Sequence, residues 1–202
     1  MVGTRYDLSD TKDSFCGVGS ARRLAVSSRF RLIGWLGYFS AFTPHVIGAT
    51  QATIGLGMDN EPQPDAMLLI DPACGGQAII SHDDYVERGP EFAGEISASS
   101  VSFDLHTKLA VYRRNGVREY VVWRVLDQQI DWFTLRGTEF DRVQPDADGI
   151  LRSIVFPGLW LDAPALIRGE MPRVLHVVQQ GLASPEHAAF LSKHGALTQP
   201  RS

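Results

Sequence analysis

Apolar residues recur at helical spacing between Ala21 and Phe42, where Leu24, Ile33, Leu36 and Phe39, with Trp35, mark one stripe. The pattern predicts a helix that stops at Thr43-Pro44, because a residue ahead of proline is pushed out of the helical region. Residues 1–20 are polar, glycine-bearing and aperiodic, and they read as a loose arm. Beyond Pro44 the runs shorten. "ATIGLG" (52–57), "AMLLID" (66–71) and "EFAGEISA" (91–98) are apolar stretches bounded by turn residues, hence predicted strands. A helix is expected from about Phe103 to Asn115, closed by Gly116 in the left-handed region. "REYVVWRV" (118–125), "QIDWFTLR" (129–136), "EFDRVQ" (139–144) and "ILRSIVF" (150–156) continue the strand pattern, and Pro157-Gly158 ends it. "MPRVLHVVQQGL" and "SPEHAAFLSKHG" read as two closing helices, the second with Ser184 as N-cap and Pro185 at its first position. The order helix, strands, helix, strands, helices predicts an α/β or α+β sheet with a long helix on one face.

Length and composition narrow this to one domain. A chain of 202 residues, 44% hydrophobic and 21% charged, can build a single substantial core. The domain is expected over 21–168, followed by a C-terminal helical extension over 169–202. The longest apolar window, "LIGWLGYFSAF", is too short to span a bilayer, so the expectation is a cytoplasmic protein with no membrane contact. Cys16 and Cys74 lack metal-ligand spacing and predict no zinc site. A net charge of −4 argues against a surface that grips nucleic acid everywhere, so any such contact must be local. Two basic clusters qualify, Arg22 to Arg31 and the set Lys108, Arg113, Arg114 and Arg118; each also fits a solvated helix face.

Charge inside the strand pattern changes the picture. In "EFAGEISA" the alternation sets Phe92, Gly94 and Ile96 on one face and Ala93, Glu95 and Ser97 on the other. Glu95 fits either a half-solvated edge strand or a carboxylate set in a cleft among small neighbours. Asp65 follows Pro64 directly before the most apolar strand, as a turn residue or as a second acid in the same cleft. Two converging carboxylates repel one another unless a cation relieves them, and hard oxygen ligands favour Mg²⁺ or Mn²⁺. Asp104, Lys108 and Tyr112 are spaced i, i+4, i+8 and share one helical stripe that begins where the Glu95 strand ends. The stripe is an exposed ion pair beside a core tyrosine, or it turns an ammonium towards the acids, where it suits phosphodiester cleavage.

"QPDAMLLID", "EFAGEISASSVSFDLHTKLAVYRRNGVREYVVW" and "ILRSIVFPGLWLD" together resemble the bacterial restriction-endonuclease family of the PD-(D/E)xK nuclease superfamily, over roughly residues 50–167. The resemblance implies a restriction endonuclease-like α/β fold, a four-stranded mixed central sheet flanked by helices. It also implies Mg²⁺-dependent cleavage of DNA and a homodimer. Asp65 matches the first acid and Glu95 the strand acid, the pair expected to hold the metal. The usual lysine position is taken by Ser97, so Lys108 of the following helix is its migrated equivalent, with Ser97, Asp104 and Tyr112 in support. Arg113, Arg114 and Arg118 are the expected DNA contacts. Relatives carry a histidine on the first helix, where this chain offers Arg29 or Phe30. The alternative is a noncatalytic oligomeric module on a nuclease scaffold, associating through the aromatic surface of Trp123, Trp132 and Phe133. A glycosidase acid pair would leave Lys108 without a role.

Overall fold

A computed structural model describes residues 10–50, 54–55, 62–81, 86–98 and 103–196; within these, the side chains of 10–21, 55, 80, 103 and 104 lie outside the described set. The first helix, α1 (Asp10–Ala41), begins well before the predicted Ala21 and overlaps the expected loose arm. Its apolar stripe occupies only the second half, where Leu32, Trp35, Leu36 and Phe39 are buried at i, i+3, i+4 and i+7. A helix once nucleated extends at little cost per residue, so the polar segment upstream needs no periodic signature of its own.

The chain continues through β1 (Val46–Ala49), β2 (Ile54–Gly55), β3 (Ala66–Ile70), a 3₁₀ turn at Pro72–Cys74, β4 (Ile79–Ile80), β5 (Val86–Glu87) and β6 (Phe92–Ser97). A π-helical turn over Phe103–Lys108 leads into α2 (Leu109–Arg114), and Gly116 follows at φ 73°. Then come β7 (Glu119–Arg124), β8 (Gln129–Arg136), β9 (Glu139–Arg142), β10 (Leu151–Arg152), β11 (Trp160–Leu161), α3 (Ala163–Arg168), α4 (Met171–Leu182) and α5 (Pro185–Gly195). β1 is too short and glycine-broken to have been read as a strand. The expected strand at 52–57 appears as β2, its other positions lying outside the described residues. α3 owes its existence to caps rather than periodicity: Asp162 accepts from the Ala165 N–H at 3.0 Å, and Gly169 closes the helix at φ 81°.

Six strands form one mixed sheet in the order β1-β3-β6-β7-β8-β9, two more than the expected four. Every neighbour is antiparallel except β6 and β7, which run parallel from Phe92↔Glu119 to Ser97↔Arg124. Alternate residues sort into two cores. On one face Leu68, Phe92, Val121 and Trp132 pack with α1, α3, α4 and α5, including Val174, Val178 and Phe190 of the C-terminal helices. On the other, Met67, Ala93, Tyr120 and Val122 pack with Tyr112 and with Ile54 and Val86 of the small sheet β2-β5-β4. Gly94 lies beneath α1, where a Cβ would stand 3.2 Å from Leu32 Cδ2.

Coverage of both faces corrects the expected aromatic surface. Trp123 and Trp132 are 2% and 1% exposed and belong to the first core, where Trp35, Phe92 and Trp132 meet edge to face at 5.7–6.1 Å. Phe133 is half-buried against the second. The predicted strand at 150–156 is also cut to two residues, because Glu119 captures the donors that follow. Its Oε2 accepts the Ser153 hydroxyl at 2.6 Å, and Oε1 accepts the N–H groups of Ile154 at 2.8 Å and Val155 at 3.2 Å.

Burial pushes the Glu119 carboxyl up to about 7, against hydrogen bonds from Ser153, Ile154 and Val155 that lower it. The folded chain therefore holds this proton more tightly than the unfolded one; the stabilisation is complete below the ordinary value of 4.5 and is lost as pH rises through about 7. Urea unfolding should show the fall in stability over this window made shallower in Glu119→Gln, by up to ~1.4 kcal/mol per pH unit. Glu119→Ala should lose at least about 2 kcal/mol through its orphaned donors.

Candidate active site

Parallel pairing of β6 and β7 obliges the chain to return from the end of one to the start of the other, and a connection of this kind needs a dozen or more residues. Here the helical stretch of the π turn and α2 makes the return over the face that carries Ala93, Glu95 and Ser97. Lys108 closes the π turn and Tyr112 follows one turn later. Both reach Glu95: Lys108 Nζ lies 2.9 Å from Oε1, and the Tyr112 hydroxyl donates to the same oxygen at 2.9 Å. Glu95 is 4% exposed, so these donors meet a carboxylate almost removed from water.

Asp65 stands directly before β3 and, from the pairing Ala66↔Gly94, opposite Glu95. Its Oδ2 accepts the Ile96 N–H at 2.7 Å, and its Oδ1 meets Arg29 Nη2 of α1 at 2.6 Å. Of the two residues at the expected histidine position, Arg29 turns to the acid and Phe30 is exposed. Burial raises the Glu95 carboxyl to about 7; Lys108 and then Tyr112 pull it down, and the neighbouring Asp65 charge pushes it up. Ser97, on the same face as Glu95, is fully buried, and its Oγ has no hydrogen-bond partner among the described residues. Asp104 lies in the π turn, its side chain outside the described set.

Asp65, Glu95, Lys108, Tyr112 and Ser97 are thus gathered at one end of the β3–β6 pair. The arginines expected to contact DNA are not. Arg113 pairs with Glu139 beside the β8–β9 turn, Arg114 ends α2, and Arg118 precedes β7 opposite the beginning of β6. The charged group nearest in register is one that periodicity along the chain does not mark. Arg124 stands opposite Ser97, donating from Nε to Asp131 at 2.7 Å and from Nη1 to Asp127 at 2.6 Å, while Arg142 and Gln129 also bind Asp131. Asp131 shares the Glu95 face through Glu95↔Val122↔Asp131. Only the hairpin register joins these residues; the signal available was the short "LDQ" between two strand-like runs.

A mixed sheet flanked by helices, with its acids at the end of adjacent strands and a lysine-bearing crossover above them, defines a restriction endonuclease-like α/β fold. The chain belongs to the Uma2 family, described as "Putative restriction endonuclease", whose model matches residues 27–164. Among solved structures it is similar to one titled a "putative nuclease belonging to DUF820" from Anabaena variabilis, at 13% identity, covering 61% of this chain and 69% of that one, with a TM-score of 0.45. No curated protein matches the chain. Among the described residues no helix is long and apolar enough to cross a membrane.

The two donors to Glu95 can be separated experimentally. Each favours its charged form, so removing either should raise its titration midpoint further above about 7, and Lys108→Met should raise it more than Tyr112→Phe. Carbon NMR of Glu-labelled protein through a pH titration would read both shifts; a midpoint that falls in Lys108→Met would contradict this account of the site.

Proposed function

We propose that the chain is a metal-dependent DNA endonuclease whose site is Asp65, Glu95 and Lys108. The observation that carries the reading is the ammonium of Lys108 at 2.9 Å from a buried Glu95, with a second acid opposite it across the strand pair. A structural acid needs only donors. Here an additional carboxylate is placed where it raises the cost of the first, which is reasonable if a cation is to sit between them.

The residues fit Mg²⁺ or Mn²⁺. Asp65 and Glu95 supply hard oxygen donors, and the Ser97 hydroxyl beside them, without a partner among the described residues, marks a buried polar position. When bound by Asp65 and Glu95, a divalent ion supplies Lewis-acid polarisation of a phosphoryl oxygen and lowers the pKa of water. Lys108 offsets negative charge that builds on the phosphoryl oxygens in the transition state and helps orient the attacking water. Tyr112 holds the Glu95 carboxylate in place, and Arg29 with the Ile96 N–H does the same for Asp65. Arg113, Arg114 and Arg118 would meet the nucleic-acid backbone away from the scissile bond.

Plasmid and short single- and double-stranded DNA, incubated with Mg²⁺, Mn²⁺ or chelator, test the reading. Cleavage should require the metal. Glu95→Gln should abolish it with the fold retained, since the amide keeps the shape but not the charge. Lys108→Met should keep metal binding and lose roughly 100–1000-fold in rate. Cleavage in chelator, or full activity in Glu95→Gln, would remove the mechanism.

A further inference from the structure

At the opposite end of β3 from Asp65, the chain leaves the sheet through Asp71-Pro72-Ala73-Cys74-Gly75-Gly76 and packs against the turn that joins α1 to β1. Here His45, Asp71 and Cys74 bring a ring nitrogen, a carboxylate oxygen and a sulfur within 4.8 Å of one another. The two turns are fastened together, since the Asp71 N–H donates to the His45 carbonyl at 2.8 Å. The second turn is wound tightly on Asp71, whose carbonyl accepts from the Cys74 and Gly76 N–H groups at 2.8 and 3.1 Å and whose Oδ1 accepts from the Ala73 N–H at 2.9 Å. No side chain fits at position 76, where a Cβ would stand 1.8 Å from the Ile70 carbonyl oxygen. From α5, His194 Nδ1 meets the Cys74 carbonyl at 2.8 Å. His45 itself is held at φ 68°, a conformation uncommon outside glycine. Three donors of different chemistry therefore converge on a backbone pinned from α5, β3 and the α1–β1 turn.

We propose that His45, Asp71 and Cys74 bind one transition-metal dication of the zinc type, at a site separate from Asp65 and Glu95. Thiolate, imidazole and carboxylate together suit a borderline-soft ion and suit Mg²⁺ poorly. Bonds of about 2.0–2.3 Å at tetrahedral angles set donors roughly 3.3–3.6 Å apart, so side-chain rotation closing at most about 1.5 Å completes the set. The fourth position is left to water. The site stands about six strand residues from Asp65, on the order of 20 Å, and an ion there ties the end of α1 and the start of β1 to the exit of β3. Sequence spacing gives no hint of it because His45 comes from a different turn from Asp71 and Cys74.

Untagged protein, stripped with chelator and dialysed, can be titrated with Co²⁺ as a spectroscopic stand-in for Zn²⁺ and followed by thiolate-to-cobalt charge-transfer absorption. One thiolate-bound Co²⁺ per chain is expected, its band displaced by Zn²⁺ but not by excess Mg²⁺, with an upward shift of the thermal midpoint on binding. Cys74→Ala should abolish the thiolate band, and His45→Gly should weaken binding by at least about 10-fold; glycine accepts the positive φ without strain. Glu95→Gln should leave the thiolate-to-cobalt band and its titration unchanged, whatever it does to metal bound at the acids. Circular dichroism establishes which variants are folded, and either ligand variant alone decides the outcome. The absence of a thiolate band in the parent protein, an undiminished band in a folded ligand variant, or loss of the band in folded Glu95→Gln would each overturn the assignment.

Discussion

The parallel pairing of β6 with β7 is the constraint from which the arrangement of the chain follows. Antiparallel neighbours can be joined by a tight turn, but a parallel pair must send the chain back along the sheet before the next strand begins. The return carries the π turn and α2, which close the second core with Tyr112 and bring Lys108 over Glu95. Fold and candidate chemistry are one solution here. The segment that satisfies the topology also covers the acid and sets a lysine against it.

Three buried glutamates show what distinguishes that acid. Glu91 accepts the N–H groups of Ile70 at 3.0 Å and Gln77 at 2.7 Å, and Glu119 accepts those of Ile154 and Val155 with the Ser153 hydroxyl. Both tie loops to strands through fixed backbone donors. Glu95 instead takes its two donors from side chains of the crossover, and it faces another carboxylate. A buried charge with backbone partners is a structural fastening, whereas one whose partners are side chains, set beside a like charge, can exchange those partners for something else.

Local periodicity made much of this readable from the chain. The alternation in "EFAGEISA" already separates Glu95 and Ser97 from Phe92 and Ile96, and the spacing of Lys108 and Tyr112 sets them on one helical stripe. β3, β7 and β8 announce themselves as apolar runs. What escaped depends on long-range register or on caps. β1 exists because β3 offers an edge, α3 because Asp162 and Gly169 bound it, and the Arg29–Asp65 pair because α1 crosses that end of the sheet. The burial of Trp123 and Trp132 was equally invisible, since an alternating strand does not tell whether its outer face meets water or four helices.

Gly94 joins the two faces of the sheet. It lies beside Glu95 in β6 but points the other way, and its missing side chain lets Leu32 descend onto the strand. Leu32 is less than one helical turn from Arg29, whose guanidinium grips Asp65. Bulk at position 94 would act as a wedge, levering α1 outward and withdrawing a cation from the acids behind the sheet. A neutral substitution in the hydrophobic interior would then present as a change in the electrostatics of the acids, and a search for residues that tune this site cannot be confined to those that carry charge.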